Sequence, residues 1–562
     1  MEDFADAAVP TFEDVLESWR QAGRGLVAQH RTELDALIDG IGPVLSAGRH
    51  AEAAARAQIA ANHAVMWHPG TFVCPRLEDL LRRLGREALP APGERRPRPA
   101  GGPMEVLHVA SRVGPFRGGS RLIWRWIAQD VGNRHSVALT RQVEQVPARL
   151  AEAVSGSGGR FLRPNRSPGG LLSWAKALQE ALGQAHVVIL HSDNYDIVPF
   201  LALAGLRCPP PVALVNHSDH VLWIGASFAD LVVSSRRSGL RLCTERRGIE
   251  ERRNILLPLC LEPLPRTRTR EDAKARLSLP PDSVVMLSIA RATKYRPIGD
   301  MSFADAVAPV LRADRRRILL AVGPGGAMDW SAAMAAAPGQ IRMRPESPDT
   351  KLLYEAADIY LDSFPFTSIT SLFEAGLHGL PLVTRFPFGK GCEVIGADSA
   401  GIDPVLLKAD DLPTYQAILQ ALAESKVLRE QVGRKTKGSI ERTNMGEGWS
   451  QSLRDVYERA FELSSSAPRL ARVEPPCLTD LDLFSTFVFG NLHHGGTRAE
   501  RLASAMEADL RVFPTLRRLP LWLGMAWRRE FVYRSPAKAW RYLLPEWITS
   551  RRWTRDQVWD RS

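Results

Sequence analysis

One short stretch of the chain carries hydroxyl side chains and one carboxylate at a spacing that suits a phosphorylated ligand. Thr367, Ser368, Thr370 and Ser371 follow a short buried strand and open a predicted helix. Their hydroxyls and the backbone N–H groups at the positive end of the helix dipole suit a phosphate. Glu374 comes one turn later and can accept hydrogen bonds from the two hydroxyls of a ribose. The pattern predicts a nucleotide-diphosphate site.

A second set of charged residues directly follows another predicted strand, VVMLSIA (284–290). Arg291, Lys294 and Arg296 place three cations just past the end of this strand. Cations at that position suit a diphosphate leaving group, whose negative charge they stabilise without a metal. A solvated basic turn is the alternative interpretation.

Histidines follow a strand in the first half of the chain. His217, Asp219 and His220 come directly after the strand VALVN (212–216), so we expect their side chains to project into a crevice. An imidazole acts near neutral pH as an acid, a base or a hydrogen-bond donor. A network that caps the strand end is the alternative, and a zinc site is disfavoured because the sequence supplies no further ligands.

A glycine loop follows the first strand of the same half, MEVLHVA (104–110). Gly114, Gly118 and Gly119 run into a helix, with Arg117 and Arg121 beside them. This geometry lets backbone approach a phosphate or sugar closely. A tight turn that needs positive φ explains the glycines equally well.

The elements that must position these residues alternate between strand and helix, which favours parallel sheets of Rossmann type. Ligands of such sheets bind beyond the carboxyl ends of the strands. The predicted organisation is a helical module (1–90), a linker (91–103), two Rossmann-like domains (104–262 and 263–462) and a basic, tryptophan-rich tail (463–562). The helical module is interpreted as an oligomerisation or docking unit, and His63, Trp67 and His68 within it as packing residues.

The stretch around Glu374 resembles the donor-binding segment of GT-B glycosyltransferases. Its layout T-S-x-x-E-A-x-x-x-G-L-P is similar to the O-GlcNAc transferase branch and to family 4 retaining enzymes. Family 4 enzymes usually carry a second Glu eight residues before the first, and Phe366 stands there in this chain. An ordinary βα unit with Ser and Thr as helix caps is the alternative to a donor site.

The resemblance implies a GT-B fold, with two Rossmann-like domains facing a cleft, and a role for each candidate residue. Glu374 is expected to bind ribose, and His217 the transferred sugar or the acceptor. The diphosphate would lie among Ser368, Thr370, Ser371, Arg291 and Lys294, and the nucleobase near Arg344 and Gly325. Gly118, Gly119, Asp219 and His220 would face the cleft from the first domain. No Asp-x-Asp metal motif lies in a nucleotide domain, since Asp480-x-Asp482 belongs to the tail. A metal-independent enzyme without a cofactor is therefore expected.

Composition limits the compartment and the partners. The six cysteines are scattered and form no CxxC pair, which argues against a disulfide framework. The N-terminus lacks the pattern of a signal peptide. No apolar run is long enough to span a membrane. A cytoplasmic location is expected. The net charge is +11, and residues 511–562 hold twelve Lys and Arg against four Asp and Glu, or +8 of it. That tail suits an anionic membrane surface or packing on the body, and nucleic acid is a weaker alternative.

The predicted function is transfer of a sugar from a nucleotide-diphosphate donor, with UDP-sugar as first choice, to a glycan, lipid or protein acceptor. A sugar-nucleotide 2-epimerase shares the fold and would bind the same donor without an acceptor. A non-catalytic scaffold at a membrane would bind nucleotide weakly or not at all.

Overall fold

The computed structural model describes residues 9–91, 96–114, 118–326, 328–347, 349–464, 477–489, 497–532 and 536–548. Arg117, most of the predicted linker that opens the tail (465–476) and the last fourteen residues (549–562) lie outside these ranges. No helix of the described part is long and apolar enough to cross a bilayer.

An N-terminal helical module comes first in the chain. It consists of α1 (Phe12–Asp39), α2 (Gly42–Ser46), α3 (His50–Met66) and α4 (Pro75–Ala88). Thr11 starts α1 with a reciprocal capping box to Asp14, which satisfies backbone donors that the first turn leaves free. Seven of the eight alanines of α3 are almost completely buried, so neighbouring helices approach it closely. The predicted helical module is confirmed.

A seven-stranded sheet follows, in the order β3-β2-β1-β4-β5-β6-β7 with every pair parallel. Its strands are β1 (Glu105–Ala110), β2 (Arg134–Leu139), β3 (Phe161–Leu162), β4 (Val187–Leu190), β5 (Val212–Asn216), β6 (Leu231–Ser234) and β7 (Asn254–Leu256). The helices beside them are α5 (Gly118–Gln129), α6 (Ala148–Gly156), α7 (Leu171–Leu182), α8 (Val198–Gly205) and α9 (Arg237–Arg247). The central strands are buried along nearly their whole length, as parallel sheets covered on both faces require.

A second, six-stranded sheet has the order β10-β9-β8-β11-β12-β13 and is again parallel throughout. Its strands are β8 (Val284–Ile289), β9 (Arg317–Val322), β10 (Ile341–Arg344), β11 (Ile359–Leu361), β12 (Leu382–Arg385) and β13 (Leu407–Ala409). The helices are α10 (Arg270–Arg276), α11 (Phe303–Arg312), α12 (Ser331–Ala336), α13 (Lys351–Ala356), α14 (Ile369–Leu377), α15 (Leu412–Glu424) and α16 (Lys426–Asn444). Two such Rossmann-like domains line one cleft between them, so the predicted GT-B fold is confirmed.

The next helix, α17 (Gly446–Leu463), returns to the first domain. Its buried residues Trp449, Leu453 and Val456 share a core with strands β1, β4 and β5. The Trp449 indole also donates to the carbonyl of Pro258 at 2.8 Å. The sequence prediction counted this segment with the second domain. That assignment differs from the structure because the apolar face of α17 meets the first sheet.

Helix α1 contacts both domains and is joined by a helix of the tail. Phe12 and Leu16 pack in the core of the second domain, whereas Leu34 and Ile38 near the other end pack in that of the first. The tail helix α18 (Asp480–Phe489) lies against α1. A Cβ at Gly23 would sit 2.7 Å from the Leu483 carbonyl oxygen, so only glycine permits this approach.

The two carboxylates of the Asp480-x-Asp482 pair have structural partners. Asp480 accepts two hydrogen bonds from Arg20 at 3.0 Å. Asp482 is buried and lies 2.9 Å from His68 and 2.8 Å from Arg246. Burial raises the pKa of its carboxyl, but the hydrogen bonds with these two residues outweigh burial and hold the pKa well below its usual range. These contacts hold α18 to both the helical module and the first domain.

The rest of the described tail packs on the body of the protein. It comprises α19 (Arg498–Asp509), α20 (Thr515–Arg528) and α21 (Pro536–Ala539). Arg501 pairs with the buried Glu33, and Arg141 of the first domain pairs with Asp509 at 2.8 Å and Glu546 at 3.3 Å. These contacts place α19 and Glu546 against the helical module and the first domain. Trp553 and Trp559 lie beyond the described residues.

One arginine connects the two Rossmann-like domains. Arg236, at the start of α9, bonds Asp398 at 2.8 Å and the backbone carbonyls of Val394 and Gly396 in the second domain. It also lies 3.4 Å from the buried carboxylate of Asp219. One guanidinium thus satisfies acceptors on both sides of the interface.

We expect Arg236→Ala to lower the free energy of unfolding by about 3 kcal/mol, because it leaves Asp219 and Asp398 without their shared cation. Thermal unfolding of the full chain measures this. Arg237→Ala is the matched control, since Arg237 is the exposed neighbour on the same helix. Equal melting temperatures for the two variants would contradict the role given to Arg236.

Candidate functional site

A cleft of about 1020 Å³ lies between the two sheets. Six of the predicted site residues line it: Arg291, Lys294, Ser368, Thr370, Ser371 and Glu374. They come from the end of β8 and from the start of α14, elements that are far apart in sequence and adjacent through the pairing of β8 with β11. The topology therefore brings the cations, the hydroxyls and the carboxylate to one edge of the second sheet.

Both oxygens of Glu374 have a partner. Arg121, on α5 of the first domain, donates to one oxygen at 3.1 Å across the cleft. The hydroxyl of Tyr354 donates to the other at 3.2 Å. Burial raises the pKa of Tyr354 well above its usual value, so this hydroxyl keeps its proton at neutral pH. A ribose bound at Glu374 would take over acceptor positions that Arg121 now occupies.

The loop before α14 rests on a buried carboxylate that sequence reasoning missed. Asp362, at the end of β11, accepts from the backbone N–H of Ser368 at 2.8 Å and from the Thr384 hydroxyl at 3.1 Å. Burial raises its pKa to about 7. Above it, the hydroxyls of Ser368 and Ser371 lie 3.1 Å apart at the helix start. Asp362 therefore fixes the loop before α14 without itself lining the cleft.

The two candidate cations differ in their surroundings. Lys294 is partly buried and donates to the carbonyl of Thr367 at 2.6 Å. Burial lowers the pKa of its ammonium group, and the nearby Asp362 counteracts this shift. Arg291 is exposed at the cleft. A bound diphosphate would meet one tethered cation and one solvent-facing cation.

The glycine that lines the cleft after β9 is Gly323 and not the predicted Gly325. Gly323 has a φ of +112°, and a Cβ there would sit 1.7 Å from the carbonyl oxygen of Ala290. Gly325 donates its backbone N–H to the carbonyl of Arg344 at 3.3 Å. Neither Gly325 nor the Arg344 side chain lines the cleft. Glu346, Ser347, Asp349 and Lys351 form this wall instead.

The three polar residues after β5 have separate environments. His217 is exposed, and its Nδ1 lies 3.3 Å from the carbonyl oxygen of Val215. Asp219 is buried beside Arg236 and does not project into the cleft, because that cation draws its carboxylate toward the domain interface. His220 lies 3.7 Å from Asp219. None of the three lines the cleft that holds Glu374.

The first domain contributes one wall of the cleft through α5 and the start of α6. Gly118 and Gly119 begin α5, and a Cβ at either would meet no other atom within 4 Å. They do not line the cleft, whereas Arg121, Trp124 and Arg125 of the same helix do. Arg125 and Arg149 both lie near the carboxylate of Glu262, at 3.5 and 3.6 Å. This wall is rich in cations.

No cluster of three or more metal-ligating side chains occurs among the described residues. His63 is buried and lies 3.0 Å from Glu33, which also binds Arg501. His68 lies 2.9 Å from Asp482 of the tail, so these histidines have ion-pair partners in the module and in the tail.

Sequence reasoning missed Tyr354, Asp362, Arg125 and Arg149, and gave Arg121 no partner. The partner of Arg121 lies 253 residues away, on the other domain. One local signal was present for Asp362, since an acid directly follows the buried strand β11. The sequence does not distinguish a cleft cation on a helix, such as Arg125, from an ordinary surface arginine, because the cleft forms only when the two domains meet.

Comparisons with known proteins find glycosyltransferases among solved structures, at low similarity. A mutant of the O-GlcNAc transferase of Thermobaculum terrenum aligns over 80% of this chain and 85% of its own, with 16% identity and a TM-score of 0.46. HepE of Anabaena, solved with UDP and glucose, aligns over 65% of this chain and 100% of its own, with 13% identity and a TM-score of 0.46. A glycosyltransferase of Rickettsia africae aligns over 64% of this chain and 98% of its own, with 12% identity and a TM-score of 0.47. No protein-family model and no curated protein matches the chain.

The raised pKa of Asp362 predicts that any binding of a diphosphate beside it depends on pH. Below about pH 7 the carboxyl is mostly neutral, and above it a negative charge lies next to the loop that precedes α14. We expect Asp362→Asn to bind a nucleoside diphosphate like the wild type at about pH 6 and about fivefold more tightly at about pH 8, from about 1 kcal/mol of removed repulsion. Calorimetry with one nucleotide on both proteins cancels the titration of the nucleotide itself. Parallel pH profiles would contradict this role.

Proposed function

We propose that this chain is a glycosyltransferase that takes a sugar from a nucleotide-diphosphate donor held at the edge of the second sheet. What supports the proposal is the convergence of Arg291, Lys294, the start of α14 and Glu374 on one cleft. These groups match, in order, the diphosphate and the ribose of a nucleotide sugar. The similarity of the donor segment to the O-GlcNAc transferase branch makes a UDP-sugar the first donor to test.

In the proposed reaction the bond between the anomeric carbon and the β-phosphate oxygen breaks, and the sugar bonds to an acceptor oxygen. Negative charge then grows on the departing diphosphate. Arg291, Lys294 and the N–H groups at the start of α14 stabilise that charge more in the transition state than in the bound donor. These groups supply the charge stabilisation that a metal supplies elsewhere, so we expect activity to persist in EDTA.

Glu374 positions the donor through its ribose. To do so it must release Arg121, which in turn becomes available to the negatively charged diphosphate. The wall formed by Arg121, Trp124 and Arg125 then faces the sugar from the acceptor side. His217 does not line the cleft in the ligand-free structure, but it follows β5 on the same domain and is the candidate there for contact with the sugar or for taking the acceptor proton. The acceptor is a glycan, a lipid or a protein with a hydroxyl group.

Nucleotide binding tests the donor site. UDP, GDP, ADP and CDP are titrated by calorimetry against the wild type, Glu374→Ala and Lys294→Ala. We expect one nucleotide to bind at micromolar strength, and each substitution to weaken it about 30-fold, since a hydrogen bond to a charged group contributes about 2 kcal/mol. Glu245→Ala and Lys426→Ala remove exposed charges outside the cleft and serve as controls. Absence of binding to the wild type would favour a scaffold over an enzyme.

The fate of the sugar separates transfer from epimerisation. The radiolabelled nucleotide sugar of the base selected by calorimetry is incubated with the protein, with and without mixed glycan and lipid acceptors. A transferase moves label to an acceptor and loses this activity in Lys294→Ala. Release of an epimerised sugar without acceptor would identify a 2-epimerase and overturn the proposal.

A further inference from the structure

Helix α20 has two opposite faces of different character. Arg518 and Met525 are buried on the face toward the body, where Arg518 donates to the carbonyls of Phe513 at 2.7 Å and Leu543 at 2.8 Å. On the same side the indole of Trp522 donates to the carbonyl of Ala539 at 2.9 Å. The helix is therefore fixed in its rotation about its own axis.

The outward face carries large apolar side chains. Leu516 is 91% exposed, Leu519 49%, Leu523 52% and Trp527 89%. At 100° per residue these positions fall in one stripe along the helix, opposite the buried residues. These four residues are termed the apolar stripe. Pro520 is also exposed and lies within it.

Exposed cations flank the apolar stripe on α20 and continue in the residues that follow this helix. The exposed basic residues of this region are Arg517, Arg528, Arg529, Lys538 and Arg541. Two of them have acidic partners, since Arg528 pairs with Glu530 at 2.7 Å and Arg517 with Glu52 at 3.2 Å. The other three have no ion pair within the described part of the chain. The surface thus combines exposed apolar groups with a net positive charge.

We propose that the apolar stripe and its flanking cations dock on an anionic lipid bilayer, with α20 lying in the plane of the headgroups. Apolar side chains on one face and arginines beside them suit such an interface, and tryptophan prefers headgroup depth. Anionic lipids attract each nearby cation. A second copy of the chain is a poorer occupant, since pairing two such faces would bring like charges together.

The position of this surface gives the proposal a consequence for substrates. Met525 of α20 and the preceding Val512 and Phe513 share a core with Leu171 and Trp174 of the first domain. Docking of the apolar stripe would hold the first domain, which forms the acceptor side of the cleft, at the membrane. A lipid-linked acceptor would then be delivered from the bilayer. That consequence rests on the proposed function, whereas membrane docking itself does not.

Vesicle sedimentation of the full chain tests the docking. Wild-type protein is mixed with vesicles of phosphatidylcholine alone and of phosphatidylcholine with phosphatidylglycerol. We expect binding to the anionic vesicles that weakens with salt, and a loss of at least about tenfold in the double variant Leu516→Ser, Trp527→Ser, because two exposed apolar groups no longer enter the interface. The control is Val131→Ser, Val427→Ser, which removes two exposed apolar residues outside the tail.

The outcomes are distinct. Failure of the wild type to bind anionic vesicles, or equal binding by the stripe variant, overturns the proposal. A wild-type dimer that becomes monomeric in the stripe variant, without vesicle binding, assigns the surface to a contact between copies and also overturns it. Unchanged melting temperature and nucleotide affinity show that the stripe variant is folded and that its defect is separate from the donor site.

Discussion

A largely buried guanidinium, that of Arg236, holds the two Rossmann-like domains together beside the cleft. Arg236 belongs to the first domain, and its guanidinium donates hydrogen bonds to carbonyl and carboxylate oxygens of the second. An arginine in such a position cannot lose its charge, so the acceptors around it must stay where they are. The ion pair between Arg121 and Glu374 depends on this arrangement, since its partners belong to different domains and meet only when the two sheets hold this distance.

The ionisable groups at the cleft edge of the second sheet each have a hydrogen-bonding partner or a shifted pKa in the ligand-free state. Lys294 has a carbonyl partner, Glu374 has Arg121 and Tyr354, and the carboxyl of Asp362 has a pKa raised by burial. None of these groups is left buried and charged without compensation. A bound nucleotide diphosphate would replace these internal partners with its own groups, which limits the free-energy cost of breaking the internal hydrogen bonds.

The sequence predicted those parts of the molecule that depend on local pattern. Strands β5, β6 and β8 are continuous apolar runs, and the start of α14 carries its hydroxyls within a few residues of the chain. Edge strands β3, β7 and β13 have two or three residues each, too few to show a period. The partners of Arg236 and Arg121 and the direction of α17 could not be predicted, because each is decided by contacts between residues more than a hundred positions apart. Asp219 was also placed wrongly from local pattern alone. Its position directly after a strand predicted a cleft residue, but its carboxylate pairs with Arg236, which follows the next strand, and lies buried at the domain interface.

Because α1 packs on both Rossmann-like domains, the helical module cannot be separated from them as an independent unit. By composition, the linker at 91–103 looks like a place to divide the protein into a module and a catalytic body. In the structure Leu77, Leu81 and Leu84 of the module share one core with Leu178 and Phe200 of the first domain, and α1 reaches the second domain as well. A protease cut in that linker would therefore yield two fragments that stay associated and migrate as one particle until denatured. A recombinant body that lacked the module would expose apolar surface on both domains, so the shortest fragment that keeps both cores covered includes α1.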